Sequence, residues 1–301
     1  MATMKRSGRQ AVRPVPAFGN PDLPPQGAVN AANKASLTDP GPQNPVLGTQ
    51  FPSAQFPPPT DVSDMPMFWA SFNNAPKRVQ NGGWARQVTQ FDFAVAEEIS
   101  GVDMRLTAGG IREMHWHLAA EWGYVSHGSC RVTVLDEMGR AYVSDVSEGD
   151  IWYFPAGLPH SLQGLGPDGC EFLLCFDDGK ATEYNTLLLT DWLAHTPPEI
   201  LAANFGLPAE TFANIPLNQL YIFQGEVPGP LAADRAVAAG TDGAPPYPFT
   251  FSLKESPGVK KTKGGEVRVA DSNNFHVSKT IAAALVTLEA GALREMHWHP
   301  N

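Results

Sequence analysis

Cysteine and long apolar runs are scarce in this 301-residue chain. It contains three cysteines, and Cys170 and Cys175 lie five positions apart in a strand-like segment, so their side chains should point to opposite faces. A disulfide framework is therefore not expected. No apolar run reaches the length of about 18 residues that crosses a bilayer, and no apolar segment follows the basic N-terminus. These absences predict a cytoplasmic protein without a membrane partner.

Positive charge is the second scarcity. The chain has 21 lysines and arginines against 31 acidic residues, which gives a formal net charge of −10 at pH 7. No long basic run interrupts this balance, so we expect no nucleic-acid partner. An anionic ligand would have to be met by a local positive group.

Proline and glycine, by contrast, are abundant, with 28 of each. Short alternating apolar segments, such as 102–106 and 132–134, are separated by turns that contain glycine. This pattern predicts an all-β antiparallel barrel or sandwich. A short helical segment should follow in TPPEILAANFG, with Thr196 as its N-cap and Gly206 as its end.

A long repeat organises the chain. Placing residues 93–117 on 275–299 matches twelve of 25 residues, including the hexapeptide REMHWH, which predicts a duplicated domain. The predicted parts are a Pro/Gly-rich N-terminal arm at 1–60, a complete domain at 61–230, a linker at 231–249 and an incomplete second domain at 250–301. Because the sequence stops soon after the second hexapeptide, we expect a fragment of a longer two-domain protein.

The hexapeptide also carries the candidate chemistry. His115 and His117 alternate on a predicted strand, so both imidazoles point to one face, and Glu121 follows four residues later. If the stretch GDIWYFPAGLPHSLQG forms a hairpin beside this strand, His160 completes a set of three histidines and one carboxylate. This set of ligands, which lacks a thiolate, is more typical of a manganese or iron site than of a closed structural zinc site. His127 and His195 lack such partners, and we expect them to be structural or solvated.

The two histidine stretches resemble the paired motifs of the cupin superfamily, and their duplication resembles a bicupin. The segment CEFLLCFDDGKATEYNTLLLTDWLAHTPPEILAANFG further resembles the oxalate decarboxylase family. The resemblance runs from about residue 68 to 231 and resumes near 250. It implies a cupin fold, a double-stranded β-helix or jelly-roll barrel, followed by the start of a second barrel.

This resemblance also implies roles for individual residues. The manganese ligands would be His115, His117, Glu121 and His160. Arg112 and Thr186 would hold the substrate, and Glu183 would be the proton-handling acid of a mobile lid. The usual lid pattern is S-E-N-S-T, from which TEYNT at 182–186 departs at three positions. Arg294, His297 and His299 would form a second, incomplete site.

The implied reaction is the conversion of oxalate to formate and carbon dioxide, with Mn(II) and dioxygen as cofactors, in a homo-oligomer that is a trimer or hexamer at full length. Three alternatives remain open. An oxalate oxidase would lack a positioned lid acid such as Glu183. A dioxygenase acting on a larger substrate would need an apolar cavity. A non-catalytic bicupin storage or sugar-binding protein would normally have lost metal ligands, and the first copy keeps all four.

Overall fold

A computed structural model describes residues 69–219, 221–240 and 243–299. These residues lie in one compact unit that spans Pro66–Asn301, and the arm predicted at 1–60 lies outside the described residues. The strands are β1 Arg78–Gln80, β2 Gly83–Val88, β3 Ser100–Leu106, β4 Gly110–Trp116, β5 Glu121–Leu135, β6 Ala141–Ser147, β7 Ile151–Phe154, β8 His160–Gly164, β9 Cys170–Phe176, β10 Leu187–Leu188, β11 Ile222–Gln224, β12 Thr250–Phe251, β13 Lys260–Thr262, β14 Gly265–Ala270 and β15 Ala283–Leu288. The α-helices are α1 Leu189–Ala194, α2 Pro198–Phe205 and α3 Leu231–Ala238, and 3-10 helices cover Phe72–Asn74, Glu183–Asn185 and Ala209–Phe212. No described helix has the length and apolar character needed to cross a membrane.

Two antiparallel sheets share the long strand β5 and enclose the core. β3 and β7 lie in one sheet, in which β9 pairs with both β3 and β5, and β8 joins β4 to β5 in the other. Their inward side chains form the main apolar cluster, which includes Val102, Met104, Leu106, Val132 and Val134. The alternation seen in the sequence is therefore confirmed, as is the all-β class.

β5 reaches both sheets because it bends instead of ending. The ladder between β5 and β9 shifts register between Val125 and His127, and Gly128 follows with a φ of +72°. A Cβ atom at Gly128 would lie 2.1 Å from the carbonyl oxygen of Gly169, so a larger residue does not fit. Gly128 therefore allows a bend within a continuous strand.

The hairpin expected at 149–160 is wrong in its pairing. β7 pairs with β5 and β12 in one sheet, whereas β8 pairs with β4 and β5 in the other. Pro155 and Gly157, with its φ of +80°, lie in the turn between the two strands. The chain changes sheets at this turn, and β8 still comes to lie beside β4 as the site requires.

The duplication predicted from the sequence recurs in the strands. The sheet β13-β14-β15 repeats β1-β2-β3 with an offset of 182 residues: Gly83 pairs with Leu106, and Gly265 pairs with Leu288. The counterpart of β4, at 292–298, has no strand structure. The described residues therefore contain this three-stranded unit twice.

The segment predicted as a linker contains the helix α3, which is attached to the first barrel. Arg131 on β5 donates to both oxygens of Asp145, at 2.8 and 3.1 Å, and to Asp234 on α3 at 2.5 Å. Arg235 donates to the carbonyl of Val143 at 2.8 Å. This stretch therefore has a fixed place on the barrel wall.

Two local predictions have different outcomes. Cys170 is buried and Cys175 lies on the other face, and all three cysteines of the chain are free, as expected. The prediction of Thr196 as the N-cap is wrong, because α2 has Pro197 at its N-cap position with no side-chain cap. The hydroxyl of Thr196 instead donates to the carbonyl of Trp192. Gly206 does end α2, in the left-handed conformation.

Candidate metal centre

An irregularity in β4 brings the hexapeptide's functional side chains to one side. Arg112 pairs with Leu162 and His115 with His160, and the register shifts between these two pairs. In a regular strand, residues three apart point to opposite faces, but here both Arg112 and His115 are buried. The irregularity therefore places the guanidinium and the first imidazole inside the same barrel.

Four side chains from three segments meet at the barrel's interior. His115 lies on β4 and His117 follows it, while Glu121 begins β5 and His160 begins β8. One potential ligand atom from each of these residues lies within 4.8 Å of all the others. Among the described residues, this is the group of three or more potential ligands that could hold a metal ion.

Each imidazole is oriented by a backbone carbonyl. The Nδ1 atoms of His115, His117 and His160 lie 2.7, 2.7 and 2.8 Å from the carbonyl oxygens of residues 113, 119 and 158. A carbonyl can only accept a hydrogen bond, so Nδ1 carries a proton, and whenever the ring is neutral Nε2 keeps its lone pair. This is the tautomer that a metal ligand needs.

Glu121 is held by a tryptophan. Trp152 donates its indole N–H to Oε1 of Glu121 at 2.8 Å, and Oε2 lies 3.2 Å from Nε2 of His117. Gly123 faces Trp152 across the β5–β7 pair, and a Cβ atom there would lie 2.1 Å from the indole ring. Gly123 therefore makes room for the ring that orients the carboxylate.

The electrostatics of the cluster favour metal-binding protonation states. Burial and the nearby Arg112 lower the pKa of His115 well below its usual value. Burial alone would raise the pKa of Glu121, but His160 and His117 lower it. His117 behaves differently: burial lowers its pKa, but the hydrogen bond to Glu121 and the charges of Glu121 and Glu183 together raise the pKa above its usual value. His115 is neutral and Glu121 is ionised, as ligands must be.

The segment 182–186, which was predicted to be a lid, packs beside this cluster. Glu183 lies in the 3-10 helix Glu183–Asn185, is 1% exposed and forms an ion pair with the buried Arg112. Arg112 also donates to the hydroxyl of Thr186 at 2.9 Å. The chain then pairs Leu188 with His115. The three lid and substrate residues suggested by the sequence are thus brought together next to the metal cluster.

Four buried polar atoms at this centre lack a hydrogen-bond partner among the described residues. They are Nε2 of His115, Nη1 of Arg112, Oε2 of Glu183 and Nε2 of His160, the last of which lies 3.3 Å from Oε2 of Glu121 without hydrogen-bond geometry. Buried groups of this kind are normally satisfied, and leaving one unmet costs about 1–3 kcal/mol. Two imidazole lone pairs match a cation, and a free guanidinium N–H matches an anion. The residues therefore fit a metal ion with an anionic ligand beside it.

The family described as Cupin matches residues 71–212 and 251–301, which together make up more than half of the chain. The chain belongs to the cupin family. This cupin is 50% identical over 260 residues to the oxalate decarboxylase OxdC of Bacillus subtilis (strain 168), a match that covers 86% of this chain and 66% of that protein. It is 36% identical over 295 residues to a probable oxalate decarboxylase of Arthroderma benhamiae, covering 97% of this chain and 70% of that protein. The cupin is thus a member of the oxalate decarboxylase family.

Solved structures give the same relationship. The cupin superimposes on a single-residue mutant of Bacillus subtilis OxdC with a TM-score of 0.80 and 49% identity, covering 87% of this chain and 69% of that one. A structure from work on the Mn(II) centres of the same enzyme matches equally well. The chain spans about two thirds of the length of the curated relatives it matches. The fold and the family are therefore shown.

The second set of candidate residues is not assembled in the same way. Arg294, His297 and His299 are all exposed, and the two imidazole centroids lie 5.3 Å apart. No third potential ligand joins them among the described residues. His127 and His195 are also exposed, as expected. The cupin's complete ligand set therefore lies in the first repeat.

Several residues of the site escaped the sequence analysis. Trp152 orients Glu121, Tyr221 packs its ring 4.8 Å from the guanidinium carbon of Arg112, and Gln87 contacts the lid. None of them belongs to a spaced motif. Only the stretch that contains Trp152 could have been suspected, because it leads to His160.

Proposed function

We propose that this protein binds Mn(II) through His115, His117, Glu121 and His160 and, with dioxygen as co-catalyst, converts oxalate to formate and carbon dioxide. The observation that carries the proposal is Glu183, a buried carboxylate on a closed lid, paired with Arg112 beside the ligand cluster. The related oxalate decarboxylases, one of them studied for its Mn(II) centres, support the substrate and the metal.

The ligand set suits the chemistry that the reaction requires. Three imidazoles and one carboxylate, without a thiolate, are typical ligands of redox-active Mn or Fe. Bound Mn(II) with dioxygen supplies a reversible one-electron oxidation, which the oxalate C–C bond needs because heterolysis would leave a carbanion without an electron sink. The protein residues supply binding, orientation and proton transfer.

Arg112 is the substrate-binding group in this proposal. Its Nε and Nη2 atoms are engaged by Glu183 and Thr186, while Nη1 is buried and free to donate. A fixed guanidinium holds a carboxylate in one orientation more strictly than an ammonium group would. Because the chain has a net charge of −10, an oxalate anion needs a local positive group, and the buried guanidinium of Arg112 provides it.

Glu183 is the proton carrier. Its carboxylate accepts the proton of the hydrogen-oxalate monoanion as carbon dioxide departs, and it returns that proton to the remaining carbon to give formate. Proton and charge balance, because hydrogen oxalate contains the atoms of one carbon dioxide and one formate. The closed lid limits water access, so the proton is delivered to carbon by a fixed donor.

The organisation of the whole protein is proposed on separate grounds. All four ligands and the lid lie between residues 61 and 230, so we propose this range as the catalytic domain, with 231–249 as linker and 250–301 as part of a second cupin domain. We also propose a homo-oligomer, a trimer or hexamer at full length. Large apolar side chains on α1 and α2, including Trp192 and Ile200 at 58% exposure each, support such an interface. Light scattering after gel filtration tests it.

Product analysis tests the function directly. The Mn(II)-loaded protein is incubated with oxalate at mildly acidic pH under air, and formate, carbon dioxide and hydrogen peroxide are measured together. We expect one formate per oxalate consumed and little peroxide. Peroxide in excess of formate would establish an oxidase instead, and no oxalate consumption would favour a binding protein.

A further inference from the structure

The lid is attached to the barrel by more than its contacts with Arg112. Gln87 on β2 points its side-chain carbonyl at the start of the lid and accepts two hydrogen bonds. One comes from the hydroxyl of Thr182 at 2.9 Å and the other from the backbone N–H of Glu183 at 3.1 Å. A 3-10 helix of three residues has few internal bonds to stabilise it. This single side chain therefore fixes the N-terminal end of the segment that carries the acid.

Tyr184, the next lid residue, packs against the barrel wall. Its ring meets the ring of Tyr221 edge-on, with centroids 6.1 Å apart, and it packs on the main apolar core. Its hydroxyl donates to the carbonyl of Ala85 on β2 at 3.4 Å. The guanidinium carbon of Arg78 lies 5.4 Å from the ring of Tyr184 and 3.9 Å from that of Tyr221. Aromatic and cation–π contacts thus hold the lid from this side.

These contacts are linked to the substrate-binding arginine. Tyr221, on which Tyr184 packs, also places its ring 4.8 Å from the guanidinium carbon of Arg112. Tyr184 occupies one of the positions at which TEYNT departs from the usual S-E-N-S-T pattern. This aromatic contact is therefore a property of this chain's own lid.

We propose that Gln87 and Tyr184 form a latch that holds the lid closed, so that they act as positioning residues for Glu183. The latch fixes the acid at both neighbouring positions, Thr182 and Tyr184, while Arg112 fixes its carboxylate. Its consequence for products rests on the proposed function. When the latch is lost, Glu183 spends less time in place and the proton is less often returned to carbon. Oxalate, dioxygen and two protons then give two carbon dioxides and hydrogen peroxide.

Hydrogen exchange of the full chain tests the latch without using activity. In both metal-free and Mn(II)-loaded protein, we expect the peptide covering 182–186 to exchange at least about tenfold faster in Tyr184→Ala and in Gln87→Met, because closed-state hydrogen bonds protect it. Tyr184→Phe should restore most of the protection, since the ring contacts remain. Tyr247→Ala, which removes a tyrosine outside the lid, is the matched control, and the β9 peptide is the internal reference.

The ratio of formate to peroxide provides the second test of the latch. In the Mn(II)-loaded variants, bound manganese should be unchanged, while the formate-to-peroxide ratio falls several-fold in Tyr184→Ala and Gln87→Met and recovers in Tyr184→Phe. Unchanged lid exchange in both latch variants would overturn the proposal, and so would equal acceleration in β9, which would indicate a general structural role. If the wild-type protein makes no formate, the proposed function fails, and the exchange data still decide whether the latch exists.

Discussion

Among single residues, Glu183 is the proposed proton carrier, and we expect it to decide which product forms. Replacing it with glutamine keeps the shape of the side chain but removes the proton carrier, so we expect formate production to fall by about 10²–10⁴-fold. Bound manganese should not change, because Glu183 is outside the ligand cluster. Formate assay and elemental analysis measure the two effects, and Glu199→Gln on the exposed face of α2 is the control. A full formate yield from Glu183→Gln would mean that another group handles the proton.

Even a charge-conserving substitution of Arg112 should weaken oxalate binding. A lysine at this position offers one ammonium group where the guanidinium makes separate contacts with Glu183 and Thr186 and keeps Nη1 free. Losing a hydrogen bond to a charged group costs about 1.5–3 kcal/mol, so KM for oxalate should rise by about 10–100-fold in Arg112→Lys. Steady-state kinetics measure this, with Arg105→Lys on β3 as the control. Unchanged KM and kcat would show that Arg112 does not contact oxalate.

Metal affinity should depend on pH through His117. Burial lowers the pKa of this imidazole, but its hydrogen bond to Glu121 and the negative charges of Glu121 and Glu183 together outweigh burial, so the pKa is raised. A proton then competes with the metal, and this competition grows as pH falls through the raised pKa, which lies above the ordinary value of 6.5. We expect Mn(II) affinity to weaken by up to about tenfold per pH unit below that point. Calorimetric titration between pH 5 and 8 measures it, and a flat profile would contradict it.

At the scale of elements, the sequence predicted which side chains cluster better than it predicted the strands that carry them. The spacing of His115, His117 and Glu121 required only period-two geometry, which β4 and the start of β5 provide. The inward position of Arg112 could not be predicted, because a register shift against β8 puts it on the same side as His115. Gln87 and Trp152 were missed for a related reason: they reach the site from other strands, and cross-strand register leaves no mark in local sequence.

The attachment of α3 offers a test at the same scale. Arg131 binds Asp145 and Asp234, and through the second of these it holds α3 against the barrel. Because both partners are partly exposed, we expect Arg131→Met to lower the free energy of unfolding by about 1–3 kcal/mol. Urea unfolding gives the value, and faster proteolysis within 231–238 would show that α3 is released. Lys254→Met, which removes an exposed ion pair with Glu148, should change stability by less than about 0.5 kcal/mol. Equal effects of the two variants would contradict this role of Arg131.

At the scale of the whole molecule, the two repeats share a strand pattern but differ at the site. β13-β14-β15 reproduces β1-β2-β3 residue for residue in register, and Gly109 and Gly291 keep the same turn, with φ of +80° and +79°. The difference begins at the hexapeptide. In the first copy it lies in β4 between paired strands, whereas 292–299 has no strand structure and is largely exposed. Within the described residues, the two identical hexapeptides therefore have different local structures.

Metal stoichiometry follows from this difference. The first repeat offers four ligand atoms within 4.8 Å of one another, three of them on imidazoles oriented by backbone carbonyls. The second offers two exposed histidines, His297 and His299. A site with fewer ligands binds a metal more weakly. We expect the full chain to retain one Mn(II) after desalting, as measured by elemental analysis. His160→Ala should retain almost none, since an incomplete set of three ligands loses both affinity and geometry, while His297→Ala should retain one. Two firmly held metals per chain would contradict this prediction and would show that His297 and His299 bind a metal together with further ligands.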